Sequence, residues 1–170
     1  MSIGAAFAGE FEHEAATTRR CLERVPADKL TWKPHERSMM LGELAGHIAD
    51  MTGWATMTMS QDVFDMNPPT GEAWKSPKIE SVPQLLAYYD QGVADAKAAI
   101  LAADDARYMA NWSLASGGNN IMTMPRVAVM RTFILNHLVH HRGQLSVYLR
   151  QLDVPVPSIY GPSADEGQMG

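Results

Sequence analysis

LNHLVHHRGQL, residues 135–145, brings His137, His140 and His141 together in a chain that has six histidines. Its leucines recur at helical intervals, so the stretch reads as the middle of a helix, and turning each residue by about 100° sorts the three rings. With Ile134 as origin, Val127, Met130, Leu138, Leu145, Tyr148, Leu149 and Leu152 fall within about 60°, and His141 lies about 20° away, inside the apolar stripe. His137 is about 40° from His141 and one turn earlier, with the two Cβ atoms about 5–6 Å apart. His140 is about 100° from His141, on the flank. Two imidazoles therefore face whatever this helix packs against, and the third does not.

Working outward, three more segments carry the same period. Phe7, Phe11, Ala15, Thr18, Leu22 and Val25 share one face of a first helix that Pro26 stops. A second helix, from about residue 41 to 60, has Leu41, Leu44, Ile48, Met51, Ala55 and Met59 as its stripe. Ser81 with Gln84 three residues on resembles a capping box, opening a third helix with Val82, Leu85, Leu86, Tyr89, Val93, Ala96 and Ile100 inward. Thr123, ahead of Met124 and Pro125, reads as the N-cap of the long fourth helix, which runs to about Leu152. Gly117, Gly118, Asn119 and Asn120 read as a turn or lid, and the proline-rich tail after Leu152 cannot be helical. Four amphipathic helices predict an all-α chain, a four-helix bundle with long connections at about 61–80 and 105–122, in a single domain spanning 1–170.

Composition narrows the function. With 170 residues, 46% of them hydrophobic, the chain can bury a core of its own. A formal charge of −5, with the basic residues scattered, offers no patch for phosphate backbones, so no nucleic-acid partner is expected. No run approaches the length that spans a bilayer and the first residues lack a signal-peptide pattern, so a cytoplasmic protein without membrane contact is expected. Cys21 is the single cysteine, which excludes an internal disulfide and leaves histidine and carboxylate as the metal-ligating types.

A buried histidine pair costs free energy unless each ring's donor and acceptor are satisfied. Metal coordination satisfies them, and so does a set of core hydrogen bonds. His47 sits at the border of the second helix's stripe, in line with Met51, Trp54 and Thr58, where it can complete a three-histidine site or serve as an interfacial residue capped by Asp50. His13 lies opposite its helix's apolar face and His35 in a loop, so neither is a ligand candidate. Glu43 and Asp50 flank His47 and are candidates to orient it.

LERVPADKLTWKPHERSMMLGELAGHIADMTGW (residues 22–54) and RTFILNHLVHHRGQLSVYLRQLDVPVPSIYGPSADE (131–166) strongly resemble the DinB/YfiT-like superfamily of small bacterial four-helix metalloproteins. The most specific matches are LGELAGHI with His47, HLVHHRGQL with His137 and His141, and the ending VPVPSIYGPSADE. The resemblance implies one divalent ion, commonly nickel or zinc, held between a second-helix histidine and a last-helix HxxxH pair, roles that carry over to His47, His137 and His141. It also implies an up-down-down-up bundle and frequent homodimers. Characterised relatives include thiol-dependent transferases and isomerases that use low-molecular-weight thiols.

Three imidazoles leave a coordination position for water or substrate, and their neutrality leaves the metal's charge to ionise a bound thiol or water. A metal-dependent, thiol-using transferase acting on a small molecule is the expectation; a hydrolase and a non-catalytic, metal-stabilised stress-associated dimer are the alternatives. No catalytic side chain is assigned. Arg131 and Arg142 can bind an anionic substrate group or be solvated or ion-paired arginines, and the second role is expected. Trp54 is the best candidate to line a pocket, and Cys21 is read as a packing residue. Met57, Phe64, Met66 and Trp74 need not all fit one core, so they are expected to form an exposed dimer patch unless their segment folds back over them.

Overall fold

Capping and breaking residues set where the helices begin and end. The computed structural model describes residues 2–167, so Met1 and the last three residues of the expected domain lie outside it. Ser2 opens α1 (Ile3–Leu22) by accepting a hydrogen bond from the Ala5 amide at 3.2 Å. A 3-10 turn at Ala27–Lys29 leads across to α2 (Leu41–Ser60), where the Glu43 carboxylate accepts from the Met40 amide at 2.8 Å. Before α3 (Val82–Ala102) the Ser81 hydroxyl accepts from the Gln84 amide at 3.3 Å. The Gln84 side chain reaches back one residue further than a capping box requires, to the Glu80 amide at 2.8 Å. All six stripe residues expected of α2, and all six expected of the first segment, are buried.

The second long connection corrects the all-α expectation. It holds a short helix, α4 (Asp105–Met109), and two strands, β2 (Asn111–Ser116) and β3 (Asn119–Pro125), while the first connection supplies β1 (Val63–Asp65). Together they form a sheet of order β1-β2-β3, parallel between β1 and β2 and antiparallel between β2 and β3. Ser116 pairs with Asn119 across Gly117 and Gly118, whose φ values of 62° and 77° make the mirror-image turn that matches strand twist. Thr123 is therefore no helix cap: its hydroxyl bonds to the Ser113 hydroxyl across the ladder at 2.7 Å.

The last helix starts instead at Arg126, and it is not uniform. α5 (Arg126–Val129) runs into a π-helical stretch (Met130–Asn136) and then α6 (His137–Gln151). Val129 and Met130 are buried, and the next buried pair, Ile134 and Leu135, follows five residues later, the spacing of a π turn. A constant 100° step misplaces Val127 for this reason: it is half-buried, and Val129 takes the inner position. Asp153, at φ 56°, ends the helix, with the Val154 amide bonding back to the Leu149 carbonyl at 3.0 Å.

In the bundle, α3 packs against α1 and α2, and the last helix also packs against α2 and α1, around one hydrophobic core to which all of them contribute. Buried Arg126 ties the sheet to this bundle. Its guanidinium donates to the Thr58 and Gln61 carbonyls at the end of α2 (2.8 and 2.7 Å) and to Asn111 at the start of β2 (2.7 Å). Helix-end carbonyls that would otherwise lack donors are satisfied in this way. The tail after Leu152 is non-helical as expected and is strapped to the bundle by Arg20 and Arg24 on Glu166 and by Arg150 on Asp165. Among the described residues no helix is long and apolar enough to cross a membrane.

Candidate metal centre

The π stretch hands over to α6 at His137, so His137 and His141 follow at ordinary α spacing and share a face. That face meets His47 on α2. Ring centroids are 4.6 Å apart for His137 and His141, 4.6 Å for His47 and His141, and 5.2 Å for His47 and His137. One nitrogen from each ring lies within 4.8 Å of the other two. The three residues singled out by spacing and resemblance are thus brought together. His140 is exposed, as its flank position requires, and His35 accepts from the Arg37 amide in its loop at 3.1 Å.

The proton positions follow from the hydrogen bonds. His141 Nδ1 lies 2.7 Å from Gln144 Oε1, an oxygen that can only accept, so Nδ1 carries the proton and Nε2 keeps its lone pair. That lone pair points at His137 Nε2, 2.8 Å away. Two imidazole nitrogens at this distance either share a proton or turn both lone pairs toward a common cation. Burial lowers the pKa of all three rings, reinforced for His47 by His141 and for His137 by His47, which favours the neutral form of each. Neutral, converging imidazoles are a donor set that can hold a divalent ion.

Neither acidic neighbour orients His47 by a hydrogen bond. Glu43 caps α2, and the buried Asp50 carboxylate accepts from Trp54 Nε1 and from the Tyr88 hydroxyl, each at 2.9 Å. Burial raises the Asp50 pKa against those two bonds. Its effect is to hold Trp54 in place, with the indole 5.6 Å from the rings of both His47 and His137.

Beside His137 lies a cavity of about 210 Å³. Trp54, Met57 and Thr58 of α2 form one wall, Phe133 and Ile134 of the π stretch another, and Trp112 and Leu114 of β2 a third. Phe64, Met66 and Trp74 close it from the first connection. The expected exposed patch is corrected accordingly. Met57, Phe64, Met66 and Trp74 are half-buried because pairing of β1 with β2 folds their segment back over the bundle. Trp54 lines the cavity as expected.

The remaining candidates are committed elsewhere. Arg142 is buried, donating to the Glu14 carbonyl (3.1 Å) and the Tyr160 hydroxyl (2.6 Å) and pairing with the Glu14 carboxylate at 2.6 Å. Arg131 pairs with Glu10 on the surface. Cys21 is buried, and burial pushes its thiol up to about 11, so it is a packing residue. Sequence reasoning missed Gln144, although its place three residues after His141 put it on the same helix face, and it missed the sheet-borne wall of the cavity.

A small helical bundle that turns three neutral imidazoles toward one point beside an apolar cavity defines a class of protein. The chain belongs to the DinB family, whose profile matches residues 1–169. It is similar in fold to a DinB-like protein from Bacillus cereus ATCC 10987, with a TM-score of 0.70 at 22% identity over 94% of this chain and 98% of that one. The DinB-like protein YjoA of Bacillus subtilis gives a TM-score of 0.68 at 17% identity over 91% and 96%. In sequence, 34 residues are 50% identical to the uncharacterized protein YrdA of Bacillus subtilis strain 168, a match spanning 20% of each chain.

Proposed function

We propose that this DinB-family protein binds one divalent cation, nickel or zinc, through His47, His137 and His141, and uses it in thiol transfer to a small molecule. The observation that carries the reading is the convergence of three imidazole nitrogens within 4.8 Å, with His141 held by Gln144 in the tautomer that frees Nε2. When bound, such an ion supplies the Lewis acidity that lowers the pKa of a coordinated thiol or water. The chain's own residues do the rest. His47, His137 and His141 bind, Gln144 orients, and the apolar walls around Trp54 and Phe133 exclude water.

A hydrolase shares the same donor set, and a non-catalytic dimer stabilised by its metal is the reading from another class. The cavity beside His137 favours an enzyme, since a structural site is closed over by side chains or by a fourth ligand. An up-down-down-up order and homodimerisation complete the proposal and rest on the family resemblance.

Elemental analysis of tag-free protein tests the first step. The wild type is expected to carry one equivalent of metal and the His141→Ala variant none; full metal content in the variant overturns the assignment. A screen of low-molecular-weight thiols against the loaded protein then separates transfer from hydrolysis. Light scattering tests the dimer, which a mass near 18.7 kDa rather than twice that value rejects.

A further inference from the structure

The cavity beside His137 has walls that say what fits in it. Among the lining residues only Thr58 and His137 carry polar side-chain groups besides the tryptophan indoles, and no lysine, arginine, aspartate or glutamate lines it. The Trp54 N–H is already given to Asp50, and the buried Trp112 N–H, which has no partner, is a neutral donor that does not offset a full charge. The arginines of the last helix are engaged elsewhere: Arg126 by backbone carbonyls and Asp62, Arg131 by Glu10, and Arg142 by Glu14 and Tyr160. In the metal-free protein a charged group placed there would be desolvated without a counter-charge, at a cost of several kcal/mol or more.

Size and shape narrow the occupant further. The volume of about 210 Å³ exceeds the roughly 150 Å³ at which a dry apolar protein cavity already takes up benzene. Trp54 meets Trp74 edge to face at 5.9 Å and 77°, an arrangement that a further ring can extend by the same geometry. Met57 and Met66 add two flexible thioethers that adapt to an irregular outline and favour aromatic edges. We infer that this cavity binds an uncharged aromatic group of one ring, the apolar body of the small-molecule substrate, and excludes acids of the same size. The assignment of that group to a substrate rests on the proposed metal-dependent function; the binding itself does not.

The test is equilibrium binding of toluene and of benzoate to the full-length protein, metal-free and metal-loaded, by calorimetry and saturation-transfer NMR. Toluene is expected to bind saturably to both forms, and benzoate at least about tenfold more weakly to the metal-free form, where no cation beside His137 can hold its carboxylate. Leu114→Trp and Met66→Trp, which fill the cavity from different elements, are each expected to weaken toluene at least about tenfold while leaving metal content unchanged. Met66 lies in the connecting segment, so its variant carries the test if Leu114→Trp fails to fold. The inference is overturned if toluene does not saturate, if benzoate binds the metal-free form equally well, or if a folded filling variant binds toluene like the wild type. Loss of metal from the wild type would sink the proposed function and leave the toluene result standing. Intact metal with no toluene binding would sink the cavity inference alone.

Discussion

His141 donates its Nδ1 proton to Gln144 Oε1 across 2.7 Å, one helical turn on, and this single bond decides which nitrogen of His141 faces His137 and His47. An amide oxygen cannot supply a proton, so the ring's other nitrogen is left as an acceptor. Hydrogen bonds of this kind fix both the rotation and the tautomer of a metal-ligating imidazole.

Replacing Gln144 by leucine removes that constraint while keeping a helix-compatible side chain of similar size. Metal affinity is expected to fall by about 10- to 100-fold, read by competition with a chromophoric chelator. Affinity unchanged within about twofold would assign Gln144 no orienting role.

His140→Ala is the complementary case. The residue is exposed and lies outside the group of three converging histidines, so the variant is expected to keep nearly its full metal content. Its ring centroid is nonetheless 4.8 Å from that of His141, close enough that proximity in sequence and space alone would suggest a ligand. A loss as complete as that of His141→Ala would refute the helix geometry.

Arg126 ties α2 to β2 through backbone carbonyls, and leucine at that position would leave acceptors at the end of α2 and the start of β2 without donors. Urea unfolding is expected to show a loss of about 2–5 kcal/mol. A loss below about 1 kcal/mol would mean that water or a neighbouring donor replaces the guanidinium.

The tail strap is expected to weaken in acid. Asp165 is held below its ordinary 3.8, first by Arg150 and then by the Val156 amide; Glu166 is held below 4.5, first by the Ser158 amide and then by Arg20 and Arg24. Groups whose folded pKa is depressed stabilise the fold fully above their unfolded values, and that contribution is lost as pH falls through the folded ones. Thermal melts of the wild type and the Asp165→Asn, Glu166→Gln double variant should therefore differ at pH 7 and draw together below about pH 4.5. A gap that stays constant to pH 3 would show that the strap is not held by these carboxylates.

Much of this protein is local in origin and legible in one dimension. The stripes of α1, α2 and α3, the cap at Ser81 and the facing of His137 and His141 follow from a 3.6-residue period, which depends only on neighbouring residues. The convergence of His47 with that pair could be proposed from its helix border and the resemblance, because a bundle has few ways to bury such rings. Other features belong to the tertiary structure. β2 and β3 are short, and Thr123 suits a helix cap as well as a strand; pairing of β3 with β2, which sets Thr123 opposite Ser113, settles which role it takes. The π stretch shifts the last helix's register after β3 and Arg126 have anchored its start, an adjustment that no uniform period contains. The cavity is the clearest case. Met57, Phe64, Met66 and Trp74 are apolar wherever they lie, and only the fold-back of the first connection onto β2 determines whether that apolarity forms an outer surface or the wall of a binding site.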